Sequence, residues 1–143
     1  MEIKRPKSER RMLILINFIS LALLVVIFEL IKSGYFTHKH LFFEIVPLAI
    51  LIFTYVQVFL RNGLWNFTHK SLSKLDEREM VLTNYSLRKA YSFFTISVLS
   101  LFVCYSLFNI QANMVLIVSL IYLAHILPAY IIGWTAQKIV EDD

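Results

Sequence analysis

The sequence predicts an all-α, polytopic integral membrane protein with four transmembrane helices arranged as two hairpins, the third helix extended into the cytoplasm. Three observations predict it. The chain is 58% hydrophobic and only 17% charged, more apolar surface than a soluble domain of 143 residues buries. Its apolar residues fall in four runs of about the 20 residues that a helix needs to cross hydrocarbon. The Lys and Arg residues cluster beside those runs, where they set topology.

Residues 1–11 form a basic tail, with Lys4, Arg5, Lys7, Arg10 and Arg11 against Glu2 and Glu9. The run 12–31 is broken only by Asn17, Ser20 and Glu29 and is the first span. It is too long for a signal-peptide core and lacks a small-residue cleavage site. Residues 32–40 make a short outer loop containing Gly34, which forces an antiparallel return. Residues 41–60 are the second span, carrying Glu44, Pro47 and Gln57. Residues 61–75 form a cytoplasmic connector in which Gly63 ends the second helix and Trp65 suits an interfacial depth.

The stretch from 76 to 108 contains neither Gly nor Pro and reads as one long helix that includes the third span. Ser73, three residues before Asp76, resembles a capping box, and Glu77 and Glu79 stand where the helix dipole favours acids. At about 1.5 Å per residue the helix exceeds a hydrocarbon core of about 30 Å, so part of it stands in water. Residues 109–113 are a tight uncharged outer turn, 114–134 the fourth span with Tyr122, His125 and Pro128, and 135–143 an acidic tail.

Five Lys and Arg precede the first span, and six (Arg61, Lys70, Lys74, Arg78, Arg88 and Lys89) lie between the second and third. The outer tips carry Lys32 and Lys39 in one and none in the other, which predicts cytoplasmic N- and C-termini. The sequons at Asn66 and Asn84 then face the cytoplasm and give glycosylation no support. The sequence around Pro47 aligns with that around Pro128, and the same offset lays the first helix over the third, raising a two-hairpin repeat.

Glu79, Thr83, Ser86, Ala90, Phe93, Ser97, Ser100 and Cys104 follow one another at spacings of three and four, which keeps them on one helical stripe. Inside a bilayer, helices associate through close approach of small residues and hydroxyl hydrogen bonds. Thr83, Ser86, Ala90, Ser97, Ser100 and Cys104 are therefore a helix-packing seam, either against the chain's own helices or in a homodimer. Asp76, Glu77, Arg78 and Glu79 are a candidate cytoplasmic partner surface, or simply a solvated first turn.

Glu29, Glu44 and His125 are the candidate intramembrane polar site, because ionisable groups at membrane depth bind protons, ions or substrates. Local pairing competes with that reading, through Lys32 for Glu29 and His40 for Glu44. His125 stands three residues before Pro128, which frees the carbonyl of Ala124, with Tyr122 and Ser119 as possible pocket partners. Glu29, His38, His40 and Glu44 are donor types that zinc accepts, yet nothing fixes their geometry and no metal is assigned. Asn17 and Gln57 suit interhelical hydrogen bonds. The single cysteine excludes an intrachain disulfide. No phosphate loop, serine elbow or zinc-protease motif is present, so no catalytic residue, cofactor or nucleic-acid partner is expected.

Leu75-Asp76-Glu77-Arg78-Glu79, followed by Ser86, Ala90 and an apolar span, resembles a group of small uncharacterised bacterial membrane proteins with an Asp-Glu-Arg-Glu motif before a transmembrane helix. The resemblance covers roughly a quarter of the chain. It implies a four-span topology and a bacterial inner membrane, and no activity. The functional expectation is a non-enzymatic accessory, regulatory or partner-binding subunit, meeting lipid and either another copy or a membrane-protein partner. The alternative is a small oligomeric transporter using an intramembrane Glu or His.

Overall fold

The computed structural model describes residues 5–36, 42–71 and 74–136. Among them there is no strand. The helices are α1 (Lys7–Lys32), α2 (Ile45–Tyr55), α3 (Leu64–His69), α4 (Glu77–Leu107) and α5 (Met114–Thr135). Four helical segments are long and apolar enough to cross a membrane: Lys7–Lys32, Phe42–Leu60, Glu77–Leu107 and Met114–Thr135. They expose large apolar side chains such as Ile19, Val46, Ile96 and Ile121, a surface that water does not tolerate over such lengths. The chain divides into two compact units, one holding α1 and α2, the other α3, α4 and α5.

In the first unit α1 begins within the basic tail, at Lys7, five residues before the expected span. Its buried residues Ile14, Asn17, Leu21 and Leu24 recur at helical spacing and form one face. Pro47, Leu51 and Thr54 do the same on α2. Pro47 is the third residue of α2, where a missing N–H leaves no intrahelical bond unmade. The second span does not end as an α-helix. Val56–Leu60 is π-helical, closed by the Arg61 N–H donating to the Val56 carbonyl at 3.0 Å, and Gly63 then turns the chain at φ +72°.

The second unit opens with a structured connector. Residues 64–69, expected as part of a polar link, form the short helix α3, which packs on α5. Helix α4 starts at a capping box one turn later than the Ser73 reading placed it, and Ser73 itself lies outside the described residues. The Arg78 N–H donates to the Asp76 carboxylate at 2.6 Å, and the Asp76 N–H donates to Glu79 Oε2 at 3.3 Å. The reason is chemical: Asp followed by Glu three residues later supplies both reciprocal acceptors. The 31 residues of α4 span roughly 46 Å at the α-helical rise. Helix α5 is capped by Asn113, whose Oδ1 accepts from the Leu116 N–H at 2.8 Å.

Helices α1 and α4 end in the same way. The Gly34 and Tyr35 N–H groups donate to the carbonyls of Ile31 and Leu30, both at 3.1 Å. The Asn109 and Ile110 N–H groups donate to those of Ser106 and Tyr105 at 3.2 and 2.9 Å. Both are Schellman closures, with Gly34 at φ +80° and Asn109 at φ +51° in the left-handed position. The proline correspondence is weaker, because Pro128 lies in the interior of α5 rather than in its first turn.

Candidate functional site

In the first unit, polar side chains line the α1–α2 seam. Asn17 is fully buried, and its Nδ2 donates to the Leu51 carbonyl at 2.9 Å and to Thr54 Oγ1 at 2.6 Å. Thr54 Oγ1 in turn donates to the Ile50 carbonyl at 2.7 Å. Nearer the helix start, Arg5 Nη2 donates to Gln57 Oε1 at 2.7 Å and the Arg5 N–H to Asn62 Oδ1 at 2.9 Å. Arg10 and Ser20 are buried in the same unit. Asn17 therefore makes the interhelical hydrogen bond expected of it, whereas Gln57, in the π-helical segment, accepts from Arg5 in the tail before α1 rather than from a helix.

Glu29 lies 3.9 Å from Lys32 Nζ, the local i,i+3 pairing that competes with an ion-binding role. Glu44 caps the start of α2 without a side-chain hydrogen bond to it. Its Oε1 is buried and has no hydrogen-bond partner among the described residues. His38 and His40, the other donors considered for zinc, lie outside the described residues. Beside the seam is an apolar cavity of about 450 Å³, bounded by Ser20, Leu23, Ile27, Phe43 and Pro47 among others.

His125 belongs to the second unit, and there α3 supplies two ring neighbours for it. Trp65 and His69 are an i,i+4 pair on α3, stacked with ring centroids 3.6 Å apart and planes within 6°. His125 meets the edge of that stack, its centroid 5.0 Å from Trp65 and 4.9 Å from His69, inclined by about 60° to each. His69 Nδ1 lies 3.0 Å from the Trp65 carbonyl and 2.8 Å from Thr68 Oγ1. The Trp65 carbonyl only accepts, so this bond belongs to the tautomer with the proton on Nδ1, the one that leaves the Nε2 lone pair open. On its other side His125 borders an apolar groove between α4 and α5 that includes Phe94, Val98 and Ala124.

On α4 the packing seam changes character along its length. Thr83, Ser86 and Ala90 are buried, with Ser86 Oγ donating to the Thr83 carbonyl at 2.7 Å. Ser97 is half-buried, and Ser100 and Cys104 are exposed. Asp76, Glu77 and Arg78 are exposed, whereas Glu79 is only 7% exposed. Glu79 thus does not share the open surface of its neighbours, because the capping box draws its carboxylate back onto the backbone. Further along, Arg88 and Lys89 are exposed, and Lys89 Nζ stands 5.8 Å from the centre of the Tyr85 ring.

No known protein family, curated protein or solved structure matches this chain. The side chains themselves carry the functional argument. Glu29 and Glu44 lie in one compact unit and His125 in the other. Sequence reasoning missed Trp65 and His69 as partners of His125. The signal for the stacked pair was present in their i,i+4 spacing, but nothing in the sequence pairs α3 with the middle of α5.

Proposed function

We propose that this chain is a four-span integral membrane protein of a bacterial inner membrane, with both termini cytoplasmic, serving as a non-enzymatic accessory or regulatory subunit that binds its partner through helix packing. The seam on α4 carries this reading. Its small residues are buried from Thr83 to Ala90 and then continue, uncovered, through Ser100 and Cys104 on the apolar half of the same helix. A close-packing surface that outruns its own cover suits a second helix in the bilayer. The clustering of Lys and Arg supports the orientation, and the Asp-Glu-Arg-Glu resemblance supports the bacterial setting. In this topology Asp76, Glu77 and Arg78 face the cytoplasm beside the partner-binding helix.

A second reading, transport through an intramembrane carboxylate, draws on the buried, unbonded Oε1 of Glu44. Glu29 does not strengthen it, because Lys32 partly neutralises that carboxylate. One comparison separates the two. Ser97→Leu with Ser100→Leu should reduce the size of the native complex extracted in mild detergent, while Glu29→Ala, Glu44→Ala and His125→Ala leave it unchanged. If the leucine variant keeps the native size while the alanine variants abolish proton-coupled flux in proteoliposomes, transport replaces partner binding.

A further inference from the structure

The imidazole pair of the second unit brings two nitrogen donors from different helices, α3 and α5, side by side. A divalent transition ion held by imidazole sits about 2.0–2.1 Å from the nitrogen, which puts each ring centre about 3.2 Å from the ion. Two such centres around one ion at a near-tetrahedral angle are about 5 Å apart. His69 and His125 have centroids 4.9 Å apart. The orientation of His69 is fixed twice, by its stack on Trp65 and by the hydrogen bond from Nδ1 to the Trp65 carbonyl. A hydrogen bond at one ring nitrogen that leaves the other free to ligate is the usual support of a metal-binding histidine. Both residues are exposed, so the described residues leave them uncovered.

We infer that His69 and His125 chelate a divalent transition-metal ion of the zinc class, independently of the partner-binding reading. Imidazole donors suit zinc, copper and nickel rather than magnesium or calcium. Trp65 supplies no lone pair and acts as the platform that holds His69. Among the described residues no group of three or more His, Cys, Asp and Glu side chains is placed to hold a metal, so the two imidazoles leave the remaining positions to water. Metal at this point ties α3 to α5, adding a crosslink where a short connector helix meets a membrane-spanning one.

The test uses the full chain in detergent micelles, with Cys104→Ser, His38→Ala and His40→Ala removing other soft or imidazole donors. Titration with Zn²⁺ should show one ion per chain in this background. His69→Ala or His125→Ala should each lower the affinity by more than about tenfold, the least that loss of even a supporting group costs. Cu²⁺ added to the background chain should give an electron paramagnetic resonance spectrum split by two imidazole nitrogens. That spectrum decides the matter if either alanine variant loses its helical circular dichroism. Absence of Zn²⁺ uptake, unchanged uptake in both variants, or a copper spectrum with fewer than two nitrogens would overturn the assignment.

Discussion

Asn17 shows how one polar side chain organises a pair of helices. Its two hydrogen bonds cross from α1 to α2 and are fully buried, so truncation leaves the Leu51 carbonyl with one partner fewer. Hydrogen bonds between membrane helices average about 0.6 kcal/mol and reach about 1.7. Asn17→Ala should destabilise the first hairpin within that range, measured by denaturant titration in mixed micelles; a change near zero would mean that apolar packing alone sets the α1–α2 register. At the turn between α4 and α5 the left-handed backbone of Asn109 is tolerated by Asn but not by a β-branched residue. Asn109→Val should cost about 1–2 kcal/mol, and Asn109→Gly should cost nothing, in the same assay. The role of Asn17 was legible in the sequence, since an isolated amide in an apolar run seeks a neighbouring helix, whereas Gln57 finds the guanidinium of Arg5 ahead of α1. The imidazole–indole cluster was not. It depends on α3 folding back onto α5, and periodicity within either segment carries no trace of that encounter.

At the scale of elements, α4 matches its sequence most closely. The absence of Gly and Pro over its length and the acidic opening predicted one helix longer than a bilayer is thick, and 31 helical residues form. The cap is the refinement: Asp76 and Glu79 satisfy each other's backbone neighbours, and this also removes Glu79 from the open charged surface. Loss of an N-cap carboxylate costs about 0.5–2 kcal/mol, so Asp76→Ala should speed amide hydrogen exchange at Glu77 to Met80 and leave Ser97 to Cys104 unaffected. Faster exchange over the whole of α4 would show instead that the cap sets the stability of the entire helix. Two elements escaped the sequence. The π-helical segment Val56–Leu60 differs from an α-helix by one hydrogen-bond register and has no periodic signature over five residues. Helix α3 is too short for a hydrophobic stripe to declare itself.

For the molecule as a whole, apolar composition and basic flanks lead to two helical units whose exposed surfaces suit lipid. The proposed orientation has a direct consequence. In sealed inner-membrane vesicles of defined sidedness carrying Cys104→Ser, Gln111→Cys should react with an impermeant thiol reagent from the outer face, and Ser71→Cys only from the cytoplasmic face. The reverse pattern would invert the molecule and move the Asp76–Arg78 surface away from the cytoplasm. The central claim is that the uncovered half of the α4 seam meets another membrane helix, and scanning α4 with a cysteine-linked photo-crosslinker in native membranes tests it most directly. Protein adducts should form from native Cys104 and, in a Cys104→Ser background, from Ser97→Cys and Ser100→Cys, and not in that background from Leu99→Cys or Ser106→Cys on the opposite face. Adducts spread evenly over both faces, or none at all, would contradict it.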